Sequence, residues 1–125
     1  MLQNFATADN LKHEELKKAI EHKNFARAEQ LAASLHLAGS ELKRIQHQAL
    51  CQMAATYRNA HGTKILAQKY GYSKQEVKQI LEEYASEIRE DGNSRPLKVC
   101  YDILSGKYLT FEDWIIHFIE KWHKL

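Results

Sequence analysis

The chain has 125 residues, 44% hydrophobic and 27% charged, which suits one soluble globular domain with a sizeable core. Its net charge of +2 is too small to argue for a nucleic-acid partner by itself, so the placement of charge has to carry that question. No apolar run approaches bilayer length, the first ten residues lack signal-peptide blocks, and two cysteines make no disulfide framework; a cytoplasmic protein with reduced thiols and no membrane partner is expected.

One proline, five glycines and abundant Ala, Leu, Lys, Glu and Gln predict an all-α fold, a single compact domain of about six or seven helices. Asp9 or Asn10 is expected to cap a first helix to about Lys23, with Leu16, Ala19 and Ile20 inward. After Asn24, a second helix runs from about Phe25 to His36 and ends at Gly39, burying Phe25, Ala28, Leu31, Ala32 and Leu35. Residues 10–36 thus read as an antiparallel helical hairpin. The phrase from Lys23 to Ala32 looks like part of a tetratricopeptide unit, but it occurs in a single copy, so local hairpin packing is expected.

Ser40 is expected to cap a long third helix to about Ala60, with Leu42, Ile45, Ala49, Met53 and Tyr57 on its inner stripe. His61-Gly62 would break it, and Thr63 would cap the next helix. From Thr63 the chain reads as a short helix, a turn at Gly71, and a second helix opened by Ser73. Ala67 is small enough for two helices to cross closely, and Gly71 four residues later suits a left-handed turn. Ser73 with Glu76 forms a capping box, and Val77, Ile80, Leu81 and Tyr84 make one inward face against Leu66 and Tyr70. Lys74, Gln75, Lys78 and Gln79 are left on the outer face.

On Ala67, Gly71, Val77 and Ile80, residues 63–84 resemble the helix-turn-helix DNA-binding superfamily, about a sixth of the chain. The resemblance implies that the helix from Ser73 enters a major groove while the helix from Thr63 braces it. Lys74, Gln75, Lys78 and Gln79 would then approach base edges, glutamine suiting adenine and lysine guanine. Arg58, Thr63, Lys64, Lys69 and Ser73 would contact phosphate. From Arg58 to Ile80, five basic residues stand against Glu76 alone, so positive charge gathers on the motif. The second helix departs from a basic pattern at Glu76, Glu82 and Glu83, and its outer face has no arginine.

The turn formers of residues 91–96 separate a helical core, residues 1–90, from a C-terminal extension, residues 91–125, packed on it. Pro96 is expected to open a sixth helix ending at Gly106. Lys107 to Phe111 offers a single strand, too few for a wing. Thr110 with Asp113 caps a last helix through Lys124, whose face carries Phe111, Trp114, Ile115, Phe118, Ile119 and Trp122. That face either docks on the core or serves in part as a homodimer or partner surface.

No phosphate loop, serine elbow or metalloprotease helix is present, and His47 with Cys51 supplies two of the four ligands a closed zinc site needs. No cofactor, metal or enzymatic activity is therefore expected. The expected function is DNA binding by a transcriptional regulator or DNA-associated accessory protein, with double-stranded DNA as partner. The alternative is a protein–protein adaptor using the N-terminal hairpin or the aromatic last helix.

Overall fold

The computed structural model describes residues 2–90, 92 and 98–125, with side chains from residue 10 onward. The fold is all-α in character. Its helices are α1 (Leu2–Glu21), α2 (Phe25–Ser34), α3 (Gly39–Ala55), α4 (Ala60–Tyr70), α5 (Lys74–Glu90) and α6 (Phe111–Glu120). Strands β1 (Cys100–Asp102) and β2 (Lys107–Leu109) form one antiparallel hairpin, and a 3-10 turn covers Trp122–Lys124. None of the described helices is long and apolar enough to cross a membrane. The chain divides into two compact units, Met1–Ala49 and Leu50–Leu125.

In the first unit α1 packs against α2, the helical hairpin that the sequence predicts. Leu16, Ala19, Ala28, Leu31, Ala32 and Ile45 form its core, with Leu35, Leu37 and Leu42 packed around them. Asp9 and Asn10 lie inside α1 and do not open it, because the residues before them include no glycine or proline to oppose helical backbone. Asn24 caps α2 by accepting the Arg27 N–H at 3.4 Å. His36 turns left-handed at φ 53° just after α2, so the helix stops at Ser34, and Gly39 opens α3.

The second unit starts inside α3, and the ends of α3 and α4 differ from those expected. Helix α3 ends at Ala55 and α4 begins at Ala60, so His61-Gly62 lies within a helix. Asn59 is the cap, its side chain accepting the Gly62 N–H at 2.8 Å, and Arg58 makes the turn at φ 50°. Thr63 caps nothing; its hydroxyl donates to the Asn59 carbonyl at 2.7 Å from inside the helix. Tyr57, expected on the inner stripe, falls in this turn and is 64% exposed.

Helix α4 ends as predicted on Gly71, left-handed at φ 80°, with the Tyr72 N–H reaching back to the Ala67 carbonyl at 2.8 Å. The capping box is present: Ser73 N–H donates to Glu76 Oε1 at 3.0 Å, and Glu76 N–H to Ser73 Oγ at 3.2 Å. Ala67, Val77 and Leu81 are fully buried, and Ala85 and Ile88 extend the same face.

Helix α6 packs against α5, capped by Thr110, which accepts the Asp113 N–H at 3.2 Å. Its aromatic face is core. Trp114 stacks on Phe118 at 4.9 Å between centroids, and Phe111 and Trp122 continue the row on either side. Of the two roles the sequence allows for this face, docking on the core is the one seen for Phe111, Trp114, Ile115, Phe118 and Trp122.

Residues 100–109 form the hairpin where a sixth helix was predicted; Pro96 lies outside the described residues. Turn chemistry decides it. The Asp102 carboxylate accepts the Ser105 N–H at 3.0 Å, the Asp102 carbonyl accepts the Gly106 N–H at 2.8 Å, and Gly106 sits at φ 70°. Cys100 pairs with Leu109, Tyr101 with Tyr108 and Asp102 with Lys107, so two strands exist where one was expected.

Cys51 is buried among Leu50, Ala54, Val77 and Leu81, and burial first, then the Glu87 charge, pushes its thiol up to about 12. A raised folded pKa gives stability that is whole below the unfolded value of 9.0 and is lost as pH rises toward 12. The stability advantage of the parent over Cys51→Ala should therefore shrink between pH 9.0 and 12, by up to roughly 4 kcal/mol. Urea unfolding at stepped pH measures this; a gap that stays constant to pH 11 would contradict the burial described.

Candidate nucleic-acid interface

The first two turns of α5 follow directly from the Gly71–Ser73 turn, which fixes how that helix leaves α4. Gln75, Lys78 and Gln79 are exposed there and Lys74 is half-buried, so the four predicted base-edge residues stay together on the first half of one helix. Gln79 donates to Glu83 Oε1 at 3.1 Å, and Lys78 lies 4.0 Å from Glu82. Both are exposed i,i+4 contacts, each weak enough for a stronger acceptor to displace.

Beyond Lys78 the helix changes sign. Glu82, Glu83, Glu87 and Glu90 surround a surface hollow with Ser86, and Arg89 pairs with Glu112 of α6. A phosphate backbone could not follow this second half without facing like charge. Gln75, Lys78 and Gln79 lie at the helix start, the end a groove-reading helix inserts.

The five predicted phosphate contacts separate. Lys69 is exposed on the last turn of α4, with Nζ 6.0 Å from the Tyr70 ring centroid. Ser73 is exposed, but its hydroxyl is the α5 cap, with the Glu76 carboxylate already at that helix end. Thr63 is fully buried. Lys64 donates to the carbonyls of Trp122 at 2.7 Å and Leu125 at 3.1 Å. It thereby neutralises the last turn of the chain's C-terminal helical segment. Arg58 donates to three carbonyls, Ala55 at 2.9 Å, Leu109 at 3.2 Å and Lys98 at 2.8 Å, with its guanidinium 5.3 Å from the Phe111 centroid. Burial holds that guanidinium below its usual pKa. Arg58, Thr63 and Lys64 are thus committed to internal carbonyls and not presented to a phosphate.

Sequence reasoning missed the hairpin and its lysines. Lys107 is exposed on it and Lys98 just before it, and Lys121 donates to the Leu104 carbonyl in its turn at 3.2 Å. Lys78 and Glu120 line one groove with Ile115, Ile116 and Ile119. The start of α5 and the hairpin turn therefore flank the same end of α6. Two tyrosine-bearing stretches, Cys100–Asp102 and Lys107–Leu109, on either side of Ser105-Gly106 were the available signal.

No group of three His, Cys, Asp or Glu suited to a metal ion occurs among the described residues. Comparison with protein-family models, curated proteins and solved structures gave no match to this chain.

The Arg58 geometry predicts a structural phenotype. Arg58→Ala should lower stability by about 2–3 kcal/mol in urea unfolding, and Arg58→Lys should recover only part, since an ammonium cannot reach three carbonyls in a plane. Unchanged stability with selectively lost DNA affinity would instead restore Arg58 as a phosphate contact.

Proposed function

We propose that the protein binds double-stranded DNA through the start of α5, as a helix-turn-helix regulator or DNA-associated accessory protein. The observation that carries this reading is the cluster of exposed Gln75, Lys78 and Gln79 on the first two turns after a glycine-hinged, serine-capped junction. Those side chains offer the donors and acceptors that base edges in a major groove require. Lys74, Lys78 and Lys69 supply the nearby positive charge. Non-specific affinity in this reading rests on few phosphate contacts, so it is modest and lost at high salt.

Polarisation titrations of the full chain on a random duplex at stepped salt test the proposal. Binding at micromolar or tighter concentration should fall steeply with salt. Lys74→Ala with Lys78→Ala should flatten the log–log slope by about 2 and weaken every sequence alike. Gln75→Ala with Gln79→Ala should leave that slope intact while flattening preferences in a selected pool, by about 1–3 kcal/mol per lost base contact. Absence of duplex binding at low salt, or binding indifferent to both double variants, sinks the assignment.

A further inference from the structure

Large apolar side chains left in solvent concentrate on one stretch of the second unit. Ile103 is 87% exposed, Tyr108 73%, Tyr57 64% and Tyr101 54%, with Val99 and Leu104 beside them in sequence. Tyr57, Tyr101, Ile103 and Leu104 line an open cleft of about 410 Å³ with Asn59 and His61. One wall is the turn between α3 and α4; the other is the hairpin.

Both walls are held in place. Arg58 ties the base of the hairpin to the end of α3 through the Ala55, Lys98 and Leu109 carbonyls. Lys121 holds the turn at Leu104, and the Asp102 carboxylate closes that turn from within. Tyr101 and Tyr108 brace each other across the strands, 5.3 Å between ring centroids. Ile103 is therefore displayed by a fixed turn, so little ordering entropy would oppose docking.

The formal charge on and beside the cleft is net positive. Among the residues that line it the sole carboxylate is Asp102, which is buried and turned to Ser105. Arg58 lines it, exposed Lys107 is the strand partner of Asp102, and exposed Lys98 lies just before β1. The first turn of α4, at the cleft, carries no acidic residue, unlike α5 with Glu76 or α6 with Glu112 and Asp113. The positive end of α4 is left without a carboxylate of its own.

We propose that this cleft docks an acidic peptide segment of a partner protein, with an apolar or aromatic side chain seated between Tyr57 and Ile103. Carboxylates next to that anchor meet the lysines and the start of α4. Tyrosine with exposed aliphatic side chains inside a polar rim is the make-up of a protein contact. Ile103, Leu104 and Val99 have no counterpart in a phosphate-gripping surface, which is polar and strongly basic. The partner surface is separate from the outer face of α5, so it stands or falls independently of DNA binding.

A phage-displayed random peptide library panned on the full chain, followed by anisotropy titration of the enriched peptides, tests this. Enriched peptides should pair a large apolar residue with Asp or Glu within a few positions. Ile103→Asp and Lys107→Glu should each weaken their binding tenfold or more, Ile103→Leu should preserve it, and Gln75→Ala with Gln79→Ala should leave it unchanged. Ile103 and Lys107 are both exposed, so a matching thermal midpoint certifies the fold of each variant. No enrichment, enriched peptides without acidic residues, or peptides indifferent to Ile103→Asp would overturn the proposal. So would self-association of the parent that Ile103→Asp abolishes, which assigns the cleft to a second copy. Loss of duplex affinity in Ile103→Asp without any peptide bound would likewise assign it to nucleic acid.

Discussion

A single guanidinium ties the end of α3, both flanks of the hairpin and the start of α6 to one another. Arg58 sits in a left-handed turn between α3 and α4, where its side chain reaches the end of α3, the approach to β1 and the exit of β2. Its flat face lies over Phe111, the first residue of α6. Three backbone carbonyls thereby receive a charged donor, and the charge is spread over acceptors that need no counter-ion. The strain of a positive φ at a non-glycine residue is offset by this network. Lys64 and Lys121 repeat the device at the chain's last turn and at the hairpin turn.

The same device changes what the charge pattern means. Five basic residues between Arg58 and Ile80 look in sequence like an electrostatic footprint, yet two of them, Arg58 and Lys64, serve internal carbonyls. The other three, Lys69, Lys74 and Lys78, lie around the α4–α5 turn. The acidic second half of α5 then sets a limit on how a duplex could lie. It disfavours a path along the helix and leaves its first two turns as the approachable end.

Local signals with a distinct chemistry were legible in the sequence. The Ser73–Glu76 box and the Thr110 cap follow from side chains bonding backbone three residues away, the Gly71 turn from glycine's ease at positive φ, and the α1–α2 hairpin from apolar residues at helical spacing. The α3–α4 junction was not legible, because Asn59 and Thr63 both offer a capping oxygen and only the left-handed Arg58 decides between them. The hairpin was hidden for another reason. Its strands are three residues each, and they are held by Arg58, a partner 40 to 51 residues away in sequence. The aromatic face of α6 was visible as a surface, but whether core or partner covers it depends on packing that periodicity does not encode.

The central claim is that this fold offers a duplex the start of α5 and withholds the rest of that helix. Amide chemical-shift mapping of the full chain titrated with a short random DNA duplex tests it residue by residue. The account predicts shifts gathered at Lys69 and from Ser73 to Gln79, fading beyond Glu82. Perturbations centred on Glu83 to Glu90, or on α1 and α2 with the α4–α5 turn silent, would contradict it.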